Sequence, residues 1–209
     1  MPPVPSPPPT GRVGCYPGSF NPPTVAHLAV AELAVAAAGL ERLDLVVSRV
    51  ALGKEDLAVP TLADRLAVLQ EVASTRPWLR VVATDARLIA DVAAGYDAVV
   101  MGADKWRQVN DPAWYGGDDA RDAAAARDAA VARLPTVLLA PRGDDHLDDI
   151  PTGHELVVLP VPDDHRAVSA TAIRDGAEGA EAWLLPEAAA FDARTGAWSD
   201  PARYRPEHR

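Results

Sequence analysis

Short apolar runs separated by helix-forming runs recur along the chain, and this alternation constrains the fold more than any other feature. Residues 12–16, 43–50, 79–83, 97–101, 136–140 and 155–159 each have the length and composition of a strand. Helix-forming segments lie between them at residues 24–38, 61–74, 85–95 and 118–133. A strand, a crossover helix and a parallel strand pack in one hand only. The pattern therefore predicts an α/β fold, a doubly wound parallel sheet of five to six strands in a single domain. The first helix has almost no polar face, with Glu32 as its interruption, so it is expected to lie buried on the sheet and to stop at Gly39. Thr61 and Asp64 predict a capping-box start for the second helix, with Leu62, Leu66 and Leu69 on one face. Asp85 is expected to cap the third.

The 209 residues are enough for one substantial α/β domain. Hydrophobic residues make up 48% of them but aromatic residues only 5%, so the core must be built mainly of Ala, Val and Leu. Residues 1–11 are nearly all Pro, Ser, Thr and Gly, which reads as a disordered tail without the basic start and apolar run of a signal peptide. No later stretch reaches membrane-spanning length, so a soluble, cytoplasmic protein is expected. A net charge of −10 argues against a nucleic-acid surface, because phosphate neutralisation needs clustered Lys and Arg, and no basic membrane-binding helix is present. The single cysteine, Cys15, falls within the first strand and reads as a small apolar residue. Residues 181–209 form a C-terminal extension beyond the domain at 12–180, with helix expected up to Ala193.

The chemistry concentrates at the first strand-to-helix junction, Gly14-Cys15-Tyr16-Pro17-Gly18-Ser19-Phe20-Asn21-Pro22-Pro23-Thr24-Val25-Ala26-His27. A buried strand ends there in a turn fixed by Gly and Pro, and Thr24 is placed to cap the helix that follows. A helix start leaves backbone donors unpaired and carries partial positive charge, so a glycine-containing loop leading into it makes an anion site, most often for phosphate. His27, in the first turn, would point at the same anion. A second turn of this kind follows the fourth strand at Gly102-Ala103-Asp104, where Asp104 is either a substrate contact or a helix N-cap. A third helix start, Ser169-Ala170-Thr171-Ala172-Ile173-Arg174, offers hydroxyls and a guanidinium for a second phosphate cradle. The acidic run at 143–149 fits no closed metal site and reads as a solvated loop.

Gly18, Phe20, Asn21, Pro22, Thr24 and His27 fill a pattern that resembles the signature of the adenylyltransferase and cytidylyltransferase superfamily, Gly-x-Phe-(Asp/Asn)-Pro-x-(His/Thr)-x-Gly-His. Thr24 stands at the first histidine of many members and Ala26 at the glycine. The Asn-Pro-x-Thr-x-x-His form is similar to that of nicotinamide-mononucleotide adenylyltransferases. Residues 168–174 resemble the superfamily's Ile-Ser-Ser-Thr-x-Ile-Arg segment, with Val168 and Ala170 as the departures, and 102–104 resemble its Gly-Ala-Asp. The resemblance covers residues 12–180 and implies a Rossmann-like sheet in which the first and fourth strands are neighbours.

What the resemblance implies chemically is nucleotidyl transfer, with a phosphorylated acceptor attacking the α-phosphorus of ATP or CTP and pyrophosphate leaving. Catalytic contacts would come from His27, Thr24, Lys54 and Arg174. Gly18, Ser19, Phe20, Asn21, Gly102, Asp104, Ser169 and Thr171 would bind the nucleotide, and Arg65, Trp106 and Trp114 are weaker candidates for the acceptor. Mg²⁺ would enter mainly on the substrate phosphates, which requires no metal cluster in the chain. A pyridine mononucleotide is the first expectation for the acceptor. The stretch at 88–96 is closer in length to that of pantetheine-phosphate or cytidylyl transferases, which keeps another phosphorylated metabolite as the alternative. Ala26 and Ala170 favour a rival reading, a nucleotide-binding regulator without turnover. A homo-oligomer is compatible with all of these.

Overall fold

A computed structural model describes residues 11–49, 59–116, 119–143, 151 and 154–208. Lys54, most of the N-terminal tail and nearly all of the acidic run lie outside the described residues. The chain alternates as expected: β1 (Val13–Pro17), α1 (Val25–Ala38), β2 (Arg42–Ser48), α2 (Leu62–Ser74), β3 (Leu79–Thr84), α3 (Ile89–Val92), β4 (Ala98–Gly102), α4 (Ala103–Asn110), α5 (Ala120–Val131), β5 (Thr136–Ala140), β6 (Leu156–Val158), α6 (Asp163–Arg166), α7 (Ala170–Arg174) and α8 (Pro186–Thr195). The six strands pair in parallel in the order β3-β2-β1-β4-β5-β6, a doubly wound, Rossmann-like sheet. Strand order reverses between β1 and β4, which are hydrogen-bonded neighbours, so a crevice opens beyond their carboxyl ends.

Side-chain alternation divides the core into two layers. Leu43, Leu45 and Val47 of β2, Val100 of β4 and Leu138 of β5 face α1, α2 and α8. Cys15, Val46, Val99, Met101, Val137 and Leu139 point the other way, against α4 and the short α3. The apolar α1 buries Val30, Ala31 and Ala34 and ends at Gly39, whose φ of 59° is the left-handed cap. Burial, then the neighbouring Asp44 carboxylate, pushes the Cys15 thiol well up, in keeping with a small apolar core residue.

Two local readings change. The third helix is capped at Leu88, without a side-chain cap, because it begins at Ile89, beyond the reach of Asp85, which pairs instead with Arg49 across the ends of β2 and β3. At α2, Thr61 caps as expected by accepting from the Asp64 N–H (3.2 Å), but the Asp64 carboxylate does not complete the box. It instead receives the Tyr204 hydroxyl and the main-chain N–H groups of Glu207 and His208. The C-terminal extension is thereby tied to α2. Its Leu184, Leu185, Ala188, Phe191, Trp198 and Tyr204 are buried in the α1 and α2 layer.

Candidate active site

β1 delivers the chain to the switch point, and the Gly18 N–H continues its ladder to the Val46 carbonyl (3.0 Å). The Phe20 ring folds back over Gly18 so closely that a Cβ there would lie 2.8 Å from the ring, which is why the position takes glycine. Phe20 itself holds φ at 44°, a left-handed conformation costing a non-glycine residue about 1–3 kcal/mol. Its ring is 1% exposed, and burying a Phe side chain recovers about 1.5–3 kcal/mol. The buried ring then serves as a wall: it packs edge-on against the His27 imidazole (centroids 5.1 Å apart) and against Tyr16 (5.3 Å).

Thr24 caps α1 and His27 completes a capping box. The His27 N–H donates to Thr24 Oγ1 (3.3 Å), while the Thr24 main-chain N–H donates to His27 Nδ1 (3.0 Å). Accepting at Nδ1 leaves the proton of the neutral ring on Nε2, so the imidazole is oriented as an N–H donor.

Three carbonyls of the loop are gripped from outside. Arg65 of α2 donates to the Ser19 carbonyl (3.2 Å), Arg174 of α7 donates to that of Asn21, and the Leu185 N–H donates to that of Pro23 (3.3 Å). Arg174 also donates to the Ala170 carbonyl and the Thr171 hydroxyl, and Ser169 caps α7 by accepting from the Ala172 N–H. The two distant helix starts are thus joined through a single guanidinium. Asn21 is 1% exposed, its side chain bonded to the Val59 carbonyl and the Trp198 indole, so its polar atoms serve the loop internally. Arg65 keeps a buried Nε without a hydrogen-bond partner among the described residues, and desolvation lowers its pKa from the usual value.

At the end of β4, Gly102 caps α4, and Asp104 sits exposed in the helix's first turn. A Cβ on Gly102 would meet Asp104 Oδ1 at 2.6 Å and Arg142 Cδ at 3.6 Å. Burial pushes the Tyr16 phenol up to about 12, with Arg142 working against that rise and Asp104 adding to it. Tyr16, Asp104 and Arg142 therefore share the carboxyl ends of β1, β4 and β5. Arg142 escaped the sequence reading, although Pro141-Arg142-Gly143 follows a strand just as Gly102-Ala103-Asp104 does.

The aromatic candidates separate. Trp106 is 1% exposed and donates its indole N–H to the Pro151 carbonyl (3.1 Å), which makes it a core residue. Burial at Ala103, Trp106 and Val109 shows the helical spacing responsible. Trp114, 47% exposed, remains open to solvent.

A parallel sheet of this order, with a capped helix start and two guanidinium groups gathered at its switch point, defines a doubly wound α/β protein with its candidate ligand crevice beyond the ends of β1 and β4. The chain belongs to the cytidylyltransferase-like family, whose model matches residues 15–176, and it is a nucleotidyltransferase enzyme. Comparison with curated protein sequences gives no match. Among solved structures, it is similar in fold to Plasmodium falciparum nicotinic acid mononucleotide adenylyltransferase complexed with APC, at TM-score 0.65 and 12% identity over 90% of this chain and 98% of that one. The same enzyme complexed with NaAD superposes at TM-score 0.61 and 13% identity, over 88% and 95% of the two chains.

Proposed function

We propose that the protein transfers an adenylyl group from ATP to a pyridine mononucleotide. A phosphate oxygen of the acceptor bonds to the α-phosphorus, the bond from that phosphorus to the bridging oxygen of the β-phosphate breaks, and pyrophosphate leaves. The acceptor phosphate is ionised near neutral pH, so the site has to supply alignment and charge compensation rather than a general base. The reading rests above all on Arg174, which reaches the Asn21 carbonyl and so brings the second signature onto the loop that carries Thr24 and His27.

In this scheme the His27 Nε2–H and the first turn of α1 contact the α- and β-phosphates, and Thr24 holds the imidazole in register. Ser169, Thr171 and Arg174 receive the leaving pyrophosphate. Arg65, partly desolvated on α2, lends its charge to an anion beside Ser19. Lys54 is proposed to add charge from the loop after β2, and Asp104 to contact the nucleotide or the acceptor ribose. Mg²⁺ would lend its charge to the phosphates. The groups gathered beyond β1 and β4 among the described residues, guanidinium and hydroxyl groups with the carboxylate of Asp104, suit an ion carried in on the triphosphate. Among the described residues no group of three or more His, Cys, Asp or Glu side chains is arranged to hold a metal by itself.

The pyridine acceptor is supported by the Asn-Pro-Pro-Thr form of the loop and by the likeness in fold to a nicotinic acid mononucleotide adenylyltransferase. A second reading, another phosphorylated metabolite with ATP or CTP, is favoured by the short connection between β3 and β4, whose helix has 4 residues. The deciding experiment mixes the protein and Mg²⁺ with ATP or CTP and a panel of phosphorylated acceptors, and measures pyrophosphate. Release matched by dinucleotide from ATP and nicotinate or nicotinamide mononucleotide is expected. Release with a different acceptor would transfer the proposal to the second reading, and nucleotide binding without release would contradict both.

A further inference from the structure

We infer that Trp198 is a positioning residue for the phosphate loop: its indole N–H, donated to the Asn21 side chain, sets the geometry from which Thr24 and His27 act. The inference rests on the nucleotidyl-transfer reading and adds a residue outside the segment, 15–176, that the family model matches. The bond from Trp198 Nε1 to Asn21 Oδ1 is 2.6 Å long, spans 177 residues of sequence and joins two side chains that are each 1% exposed.

The geometry shows why this bond acts on the site. An indole can only donate, so it fixes which end of the Asn21 amide faces it, and the Nδ2 end is thereby directed at the Val59 carbonyl (3.3 Å). The Asn21 carbonyl is held at the same time by Arg174. Asn21 thus lies at the meeting of three constraints, directly between Phe20, which walls the imidazole, and the Pro22-Pro23-Thr24 approach to the helix cap. Trp198 is itself immobilised: the Asp192 carboxylate accepts from its main-chain N–H (2.7 Å) and from that of Ser199 (3.1 Å), and Phe191 packs on the indole (5.7 Å). Without the indole donor, Oδ1 becomes a buried acceptor with no partner among the described residues. The loop can restore one only by turning the amide, which breaks the Val59 bond, or by shifting the backbone beneath Thr24.

The test compares Trp198→Phe, which removes the donor and keeps most of the ring, with Tyr204→Phe. The latter loosens the same C-terminal segment at α2, where its hydroxyl serves Asp64 and Thr61, and among the described residues it makes no hydrogen bond to residues 17–27. Wild-type pyrophosphate release is measured first, and its absence would sink this inference together with the function reading. Given release, Trp198→Phe is expected to lower kcat by about tenfold to a hundredfold, the scale of a misplaced catalytic group, with little change in KM for ATP. Tyr204→Phe should lower Tm at least as much while leaving kcat near the wild-type value. Wild-type kcat in Trp198→Phe, or parallel losses of kcat and Tm in both variants, would overturn the inference and leave the function reading intact. Should Trp198→Phe fail to fold, exchange of the Trp198 indole proton in the wild-type protein decides. Protection that rises when a non-hydrolysable ATP analogue binds supports the positioning role, and protection indifferent to the analogue overturns it.

Discussion

The Arg174 guanidinium donates to the main-chain carbonyl of Asn21, a contact between residues 153 apart in sequence. The same group donates to the Ala170 carbonyl and the Thr171 hydroxyl, so one planar fork ties the start of α7 to the loop before α1. A lysine has a single charged nitrogen and cannot match this arrangement. Arg174→Lys is therefore expected to lower kcat/KM for ATP by about tenfold or more, since hydrogen bonds to charged groups contribute about 1.5–3 kcal/mol each. Steady-state pyrophosphate assays check this, and an unchanged kcat/KM would show that the fork is dispensable.

His27 has two parts to play, and one substitution should reveal both. On the proposed reading His27→Ala removes a phosphate donor, which by analogy with oxyanion donors should cost about 2.7–4 kcal/mol of barrier, at least a hundredfold in turnover. It also opens the capping box with Thr24, for which about 1 kcal/mol, or roughly 2–4 °C in Tm, is expected. Near-normal turnover together with a lowered Tm would reduce His27 to its capping role.

Much of this architecture is legible in the sequence because it is local. Strand-length apolar runs, Gly39 as the stop of α1 and the caps at Thr24, Thr61 and Ser169 each depend on a few adjacent residues. Trp106 is a local signal weighed differently: its spacing with Ala103 and Val109 marks a core position, whereas the resemblance makes it a weak acceptor candidate. Contacts that close over long distances left no trace to read. Asn21 with Trp198, Asp64 with Tyr204 and His208, and Arg142 beside Gly102 exist only once the sheet has brought its strand ends together. The four-residue α6, within a segment of no evident periodicity, also went unread.

Asp64 should make the fold sensitive to acid. Burial alone would raise its carboxyl, but hydrogen bonds from Tyr204, from His208 and from the N–H groups of Glu207 and His208 prevail and hold it below the usual value. A pKa depressed in the folded state contributes stability above the unfolded value, about 3.9, and loses it as pH falls through the folded value. The stability advantage of wild type over Asp64→Asn in urea titrations should thus be full at neutral pH and shrink below about pH 4. An advantage constant with pH would count against the ionised network.

The tyrosines should respond at the opposite extreme. Burial raises Tyr16 to about 12 and lifts Tyr96, Tyr115 and Tyr204 above their ordinary value as well. Groups whose pKa is raised in the folded state stabilise it below the unfolded value, about 10, and that stability is lost as pH climbs towards the folded values. Phenolate absorbance of the native protein should therefore stay low at about pH 10, where the urea-unfolded chain is half ionised. Native and unfolded titrations that coincide would contradict the burial of these phenols.

The proposed joining of two distant helix starts into one phosphate grip is tested most directly by a double-mutant cycle on kcat/KM for pyrophosphate release, with His27→Ala, Arg174→Ala and their combination. Because Arg174 holds the loop from which His27 acts, the double variant should lose less than the sum of the single losses, with a coupling of about 1–3 kcal/mol. Losses that add to within about 0.5 kcal/mol would mean that the two residues act independently, and would contradict the shared grip.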